Sequence, residues 1–338
     1  AVSISGDLIA VGSYREDAGA VNAGSAYIYS ISTGNLNRTI NNPTPEVGDN
    51  FAFALSISGN TLLVGSYRDN TGATDAGSAY QFDATSGVLI RTLGNPTPGQ
   101  GDFFGAAVAA SSTTLIVTSY WDDTAAFDAG TIYLYSPSTG APQHTISNPA
   151  PSSLDYSGYS VAASGDWLAV GAIQNDSGGI DSGVVDVYNM RTGVLIRTIQ
   201  NPTPAAYDNF GFSVAMSGNL LAVGAYRDDA LGTDSGAVHV FNAVTGAFIR
   251  TIANPAPASF DSFGSSVAIS GDMVVVGAPR DDTGASDAGS AYVFDGPSGI
   301  LLASIPNPTP GSSDFFGTSV AFAGDLVVVG APLDDTGA

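Results

Sequence analysis

Residues 263–295 read FGSSVAISGDMVVVGAPRDDTGASDAGSAYVFD, and this stretch decides the fold. Residues 266–270 read as a short strand, and Gly271-Asp272 as the tight turn of a hairpin. Residues 273–278 are nearly all apolar, the mark of a strand buried on both faces. A long polar loop follows over 279–289, and residues 290–295 form a third strand that Tyr292 and Phe294 suit. Just beyond, Pro297-Ser298-Gly299 turns the chain and 300–305 is the expected fourth strand. Residues 306–316 then cross to the next unit, stiffened by Pro308 and Pro310. No helical 3.6-residue periodicity appears in this or any other unit.

Working outward, the same unit recurs without insertion or deletion. Asn-Pro dipeptides begin at Asn42, Asn95, Asn148, Asn201, Asn254 and Asn307, each 53 residues after the last. Acids follow at Asp49, Asp102, Asp155, Asp208, Asp261 and Asp314. The glycine near the end of the second strand recurs at Gly12, Gly65, Gly171, Gly224, Gly277 and Gly330, with Thr118 in the third copy. Four antiparallel strands in about 50 residues is the size of a β-propeller blade. A β-solenoid is the rival, but its coils are shorter and usually parallel. The expectation is one all-β propeller domain over residues 1–338, with six full repeats and a half repeat over 319–338. Seven blades are expected, the last one incomplete. Its open edge would be completed by residues outside this sequence or by self-association with another chain.

Composition narrows the function. With 338 residues and no cysteine, the chain has core enough without disulfides and no thiolate metal site. No apolar run approaches 18 residues, so membrane insertion is not expected. The net charge of −22 argues against nucleic acid as a partner. All nine basic residues are arginine, and of 31 acids only Glu16 and Glu46 are glutamate. Aspartate in such excess points to loops, where its short side chain caps turns or ligates hard cations.

At this point the residues resemble a known family. Phe315-Phe316-Gly317-Thr318-Ser319-Val320-Ala321 followed by Val329-Gly330-Ala331-Pro332 is similar to the FG-GAP repeat. Phe263-Gly264 with Gly277-Ala278-Pro279, and Phe210-Gly211 with Gly224-Ala225-Tyr226, repeat the match in register. The resemblance covers the whole chain. It implies a propeller of the bacterial extracellular type, similar to the head of integrin α subunits, with a cell-surface or secreted location and an adhesive or ligand-binding role. One departure matters. Integrin-type repeats often carry a calcium loop between the first two strands, whereas here that connection is only Ser270-Gly271-Asp272, too short to hold it.

The acids concentrate elsewhere. The loops between second and third strands hold 17 of them and the links between repeats seven, so 24 of 31 are expected on one face of the blades. Two readings stand. The carboxylates are solvated turn caps, or they hold calcium, which takes six to eight oxygens. The candidate calcium ligands are Asp69, Asp75, Asp122, Asp123, Asp128, Asp228, Asp229, Asp234, Asp281, Asp282 and Asp287 in the loops, joined by Asp261 and Asp314 in the links. Arg15, Arg68, Arg227 and Arg280 lie in the same loops and are expected to pair with part of the acid.

Catalysis needs one repeat to carry what the others lack. The two histidines depart from the pattern, His239 at a tyrosine position and His144 at an arginine position, but they lie in different repeats. Paired carboxylates occur in every repeat, so no single acid/base pair stands out, and no enzyme is expected. A polysaccharide-acting enzyme is the remote alternative. Ligand contact is expected from Tyr14, Tyr67, Tyr120, Trp121 and Tyr226, which open the acidic loops and either stack on sugar rings or pack against neighbouring blades. The functional expectation is a binding or adhesion module, calcium-stiffened, for a protein or glycan at the cell surface. A structural subunit of an extracellular polymer is the alternative.

Overall fold

The computed structural model describes residues 1–335, and the last three residues of the expected half repeat lie outside them. Every element is a strand. Six four-stranded antiparallel sheets follow one another, each with its strands in sequence order, and a two-stranded sheet begins a seventh. The chain divides into two compact units, one of residues 1–161 with 190–193, the other of 162–189 with the chain from Val194 onward.

In the quoted repeat the strands are Ser266–Ser270, Met273–Ala278, Ser290–Asp295 and Leu301–Pro306. The first three match the sequence reading and the fourth begins one residue late. The second and third strands are almost wholly buried and the fourth is mostly exposed, so each sheet runs from a protected interior to a solvated rim. Pairing across the first hairpin is Ser270 with Met273, which leaves Gly271 and Asp272 as a two-residue turn. Gly271 takes φ +59° there, a conformation that costs a side-chain-bearing residue and costs glycine nothing. A bulge shifts the register between Val293 and Phe294, and the same shift recurs in the other outer hairpins, as between Ile28 and Tyr29.

The hydrophobic cores lie between successive sheets. In the first unit one cluster joins Ile28 and Ile40 of the first sheet to Phe51, Leu62, Val64 and Phe82 of the link and second sheet. In the second unit Val238, Val240 and Ile252 meet Phe263, Val274, Val276 and Phe294 in the same way. The final two strands, Ser319–Ala323 and Leu326–Gly330, pack Phe322 against Val275 and Val293. Close approach is enforced at the second-strand glycine, since a Cβ on Gly65 would lie 1.8 Å from the carbonyl oxygen of Gly105 in the next link.

Candidate functional site

Two kinds of turn gather at opposite ends of each sheet. At one end the first hairpin turn reaches the second: Ser30 Oγ and Ser32 Oγ both donate to Asp7 Oδ2, and the Ser32 N–H donates to Asp7 Oδ1. These bonds hold the exposed Asp7 carboxyl below its ordinary value. At the other end the long loop is joined to the link that follows. The Asn50 and Phe51 N–H groups donate to the carbonyls of Asn22 and Ala23, and the link then bonds the next sheet through Ala52 N–H to the Gly65 carbonyl.

The loop acids divide by position. In the second, third, fifth and sixth repeats the first acid of the loop turns inward and is buried, whereas Glu16, Asp176 and Asp334 are exposed. Asp69 Oδ2 accepts the Tyr80 hydroxyl at 2.7 Å while its Oδ1 accepts the Thr71 N–H at 2.8 Å. Asp122 takes Tyr133, Thr131 and Thr124 in the same manner, and Asp281 takes Tyr292 and Thr283. Asp228 accepts the Ala230 N–H, with His239 Nε2 3.9 Å from its Oδ2. Full burial lowers the His239 imidazole to about 4, so at neutral pH it faces Asp228 uncharged.

The second and third acids form a turn of their own. The carboxylates of Asp123, Asp229 and Asp282 accept the N–H of Asp128, Asp234 and Asp287. Asp75 donates its N–H to Asn70 instead. All four of these third acids sit at φ between +49° and +55°, the left-handed region that aspartate tolerates better than most residues.

The link acids are buried too. Asp261 Oδ2 accepts Asn254 Nδ2 and the Ala258 N–H, both at 2.7 Å, and Asp314 accepts Asn307 Nδ2 and the Gly311 N–H. The recurring Asn-Pro thus supplies the amide that holds the recurring Asp seven residues later. Burial raises Asp49, Asp208 and Asp261 to about 6 each, and the charge of the first loop acid in the next repeat (Asp69, Asp228 or Asp281) adds to the rise. Oδ1 of Asp49 is buried with no hydrogen-bond partner, as suits a carboxyl that keeps its proton into the weakly acidic range.

The structure therefore brings link and loop carboxylates together in pairs, while the second loop acid caps the backbone N–H of the third. Among the described residues no group of three or more histidine or acidic side chains is placed to hold a metal ion. A pair of carboxylates alone is well short of calcium's six to eight oxygens.

The aromatic candidates are brought together more completely. In the first unit a chain of ring contacts runs Tyr14–Phe53–Tyr67–Phe103–Trp121–Tyr156, with centroids 4.6 to 5.9 Å apart. Tyr120 joins it through Trp121, Tyr156 and Tyr159. In the second unit Tyr226 packs on Phe212 at 4.1 Å. The aromatics thus pack on one another across neighbouring repeats and still keep an open side, Phe53 being 40% exposed. The arginines expected to pair with acid behave differently. Arg15, Arg68 and Arg227 lie against the rings of Tyr14, Tyr67 and Tyr226, at 5.2 to 5.5 Å.

Two sets of residues escaped the sequence reading. Tyr80, Tyr133 and Tyr292 hold the inward acids, and the signal for them was their constant place 11 residues after each Asp. The fourth repeat exchanges the two roles, with Asn175 at the acid position and Asp186 at the tyrosine position. Phe53, Phe103 and Tyr156 come from the links and Tyr159 from the strand Ser157–Ser164, and together they complete the ring chain.

Sheets of four antiparallel strands repeated at a fixed period define a β-propeller. The FG-GAP repeat model matches seven segments, residues 1–29, 45–82, 98–135, 145–188, 202–241, 252–294 and 310–338. The chain belongs to the FG-GAP repeat family. Among solved structures it is similar to the crystal structure of the computationally designed Ika8 protein, with a TM-score of 0.55 at 16% identity, covering 98% of this chain and 92% of that one. That likeness concerns the fold alone. No curated protein matches the sequence.

Proposed function

We propose that this chain is a non-enzymatic binding or adhesion module of the cell surface or extracellular space, meeting a protein or glycan ligand through the aromatic row of its first unit. The observation that carries the reading is that row: six rings in sequential contact, contributed by successive repeats, with Phe53 open to solvent. Sugar faces stack on such platforms, and aromatics dominate interface energetics. The departures from repeat symmetry favour binding over catalysis. His239 is fully buried, and His144 is spent on the Arg191 carbonyl at 3.1 Å. The seven matched segments support a seven-bladed count.

In this reading the loop carboxylates shape the binding face as turn caps. A calcium role for them, suggested by their number, is tested by thermal unfolding with the ion and with chelator. The experiment for the function is a panel of immobilised oligosaccharides and extracellular proteins, read with the wild type and with Trp121→Ala. Binding that Trp121→Ala or Phe53→Ala weakens supports the reading. Cleavage of a panel glycan, abolished by one carboxylate substitution, overturns it.

A further inference from the structure

The junctions where a long loop meets the next repeat are built alike, so a departure at one of them is informative. The third loop acid is Asp75, Asp128, Asp181, Asp234 and Asp287 in five repeats, but the first repeat has Asn22. Arginine follows the second strand in two consecutive repeats at only two junctions, as Arg15 with Arg68 and as Arg227 with Arg280. At both, the structure has a cleft. The second is about 380 Å³, lined by Phe212, Tyr226, Arg227 and Arg280 with Asp234 in its wall. The first is about 540 Å³, lined by Arg15, Arg68, Asn22, Asn50, Phe53 and the Tyr14 and Tyr67 rings, with no carboxylate in its lining.

The missing acid changes the electrostatics. At the equivalent place in the second unit, burial and the Asp176 charge raise the Asp181 carboxyl, while the Arg227 guanidinium pulls it back. Asn22 gives Arg68 no such counter-charge. Among the described residues no carboxylate lies within ion-pair distance of Arg15 or Arg68, whose guanidiniums rest on Tyr14, Tyr67 and Phe103. The acids next in sequence are engaged by other donors and are not part of the lining: Asp17 accepts the Asn22 N–H, Glu16 bonds Tyr27, and Asp69 is bound to Tyr80. In a chain of net charge −22 the side chains lining this cleft are thus cationic, amide and aromatic.

We propose that this cleft binds a carboxylate-bearing sugar, a uronic acid unit of an acidic polysaccharide. The two guanidiniums take the carboxylate, which matches their planar geometry. The partly exposed Phe53 ring takes the apolar face of the pyranose. Asn50 donates to the Tyr67 hydroxyl at 3.2 Å, which leaves its carbonyl oxygen for a sugar hydroxyl. The assignment rests on the binding-module reading and names its site and ligand class.

The test is calorimetric titration of the whole chain with oligogalacturonate, with its methyl ester, with a neutral oligosaccharide of equal length, and with oligoglutamate. Oligogalacturonate is expected to bind, to weaken with salt, and to lose affinity on esterification. Asn22→Asp restores the residue that five repeats already fold with, and is expected to weaken binding about tenfold. Asp234→Asn is expected to add a second site. Unchanged affinity in both Asn22→Asp and Arg68→Ala overturns the site, and oligoglutamate binding as tightly overturns the sugar class. Neutral sugars binding through Trp121 while oligogalacturonate does not would remove this site and leave the module reading standing. Binding of none of the sugars or of the protein panel would remove both.

Discussion

Asp261→Asn exchanges a buried carboxyl for an amide of the same shape. The side chain is 2% exposed and sits beside Asp281, and burial, with the neighbouring charge, raises it to about 6 from the ordinary 3.8. A group whose folded pKa is raised contributes stability that is fully present below pH 3.8 and is lost as pH rises through 6. A rise of that size corresponds to roughly 3 kcal/mol of penalty on the ionised form above pH 6. Solvent near the loop and relaxation of the junction reduce this to about 1–2 kcal/mol for the measurable gain. The amide keeps its carbonyl oxygen for Asn254 Nδ2 and the Ala258 N–H, and meets Asp281 as a dipole instead of a second anion. In chelator, Asp261→Asn is therefore expected to raise the thermal midpoint by about 2–4 °C at pH 7.5 and to leave it unchanged at pH 4. Scanning calorimetry at the two pH values reads both. A lower midpoint at pH 7.5, or an equal gain at pH 4, refutes the reasoning, because the charge would then not be the destabilising element.

Three further outcomes follow from the same geometry. Gly65→Ala places a methyl 1.8 Å from the Gly105 carbonyl oxygen and is expected to cost about 3 kcal/mol or more in urea unfolding. Gly59→Ala, at φ +56° with open space around it, is expected to cost only about 1 kcal/mol. Tyr80→Phe removes the buried hydroxyl that donates to Asp69 and is expected to destabilise by about 1.5–3 kcal/mol in the same assay. Adding millimolar calcium in place of chelator is expected to shift the midpoint by less than about 2 °C, since a site held at 100 times its dissociation constant would add about 2.7 kcal/mol. A rise of many degrees, abolished by Asp261→Asn, would instead make the paired carboxylates ligands.

The strands were legible because the 53-residue period repeats every hairpin in register, so that one reading of residues 266–305 served the whole chain. Alternation and the Gly-Asp turn placed the first three strands of that repeat to the residue. The fourth was shifted because the bulge at Val293 and Phe294 adds a residue that no alternation pattern reveals. At the site, sequence placed the acids on the right loops but could not say where their carboxyls point. Asp69 faces Tyr80, 11 residues on and across a strand pair, and only the fold makes them neighbours. The ring chain was half visible for the same reason: Tyr14 and Tyr67 mark strand ends, whereas Phe53 reaches them from a link some 40 residues away from Tyr14. The arginines misled because proximity in sequence to Glu16 or Asp69 suggested pairs, while the acids are already held by backbone and hydroxyl donors.

The clusters that join Ile28 to Val64, or Val240 to Val276, have a consequence for how such a chain is assembled and cut. Its apolar mass belongs to the seams and not to the sheets, so a single excised repeat would carry two half-seams and no interior. The smallest piece that holds a complete seam is two repeats with the link between them, and each added repeat contributes one more seam. Shortening within a unit therefore removes stability in steps of one seam.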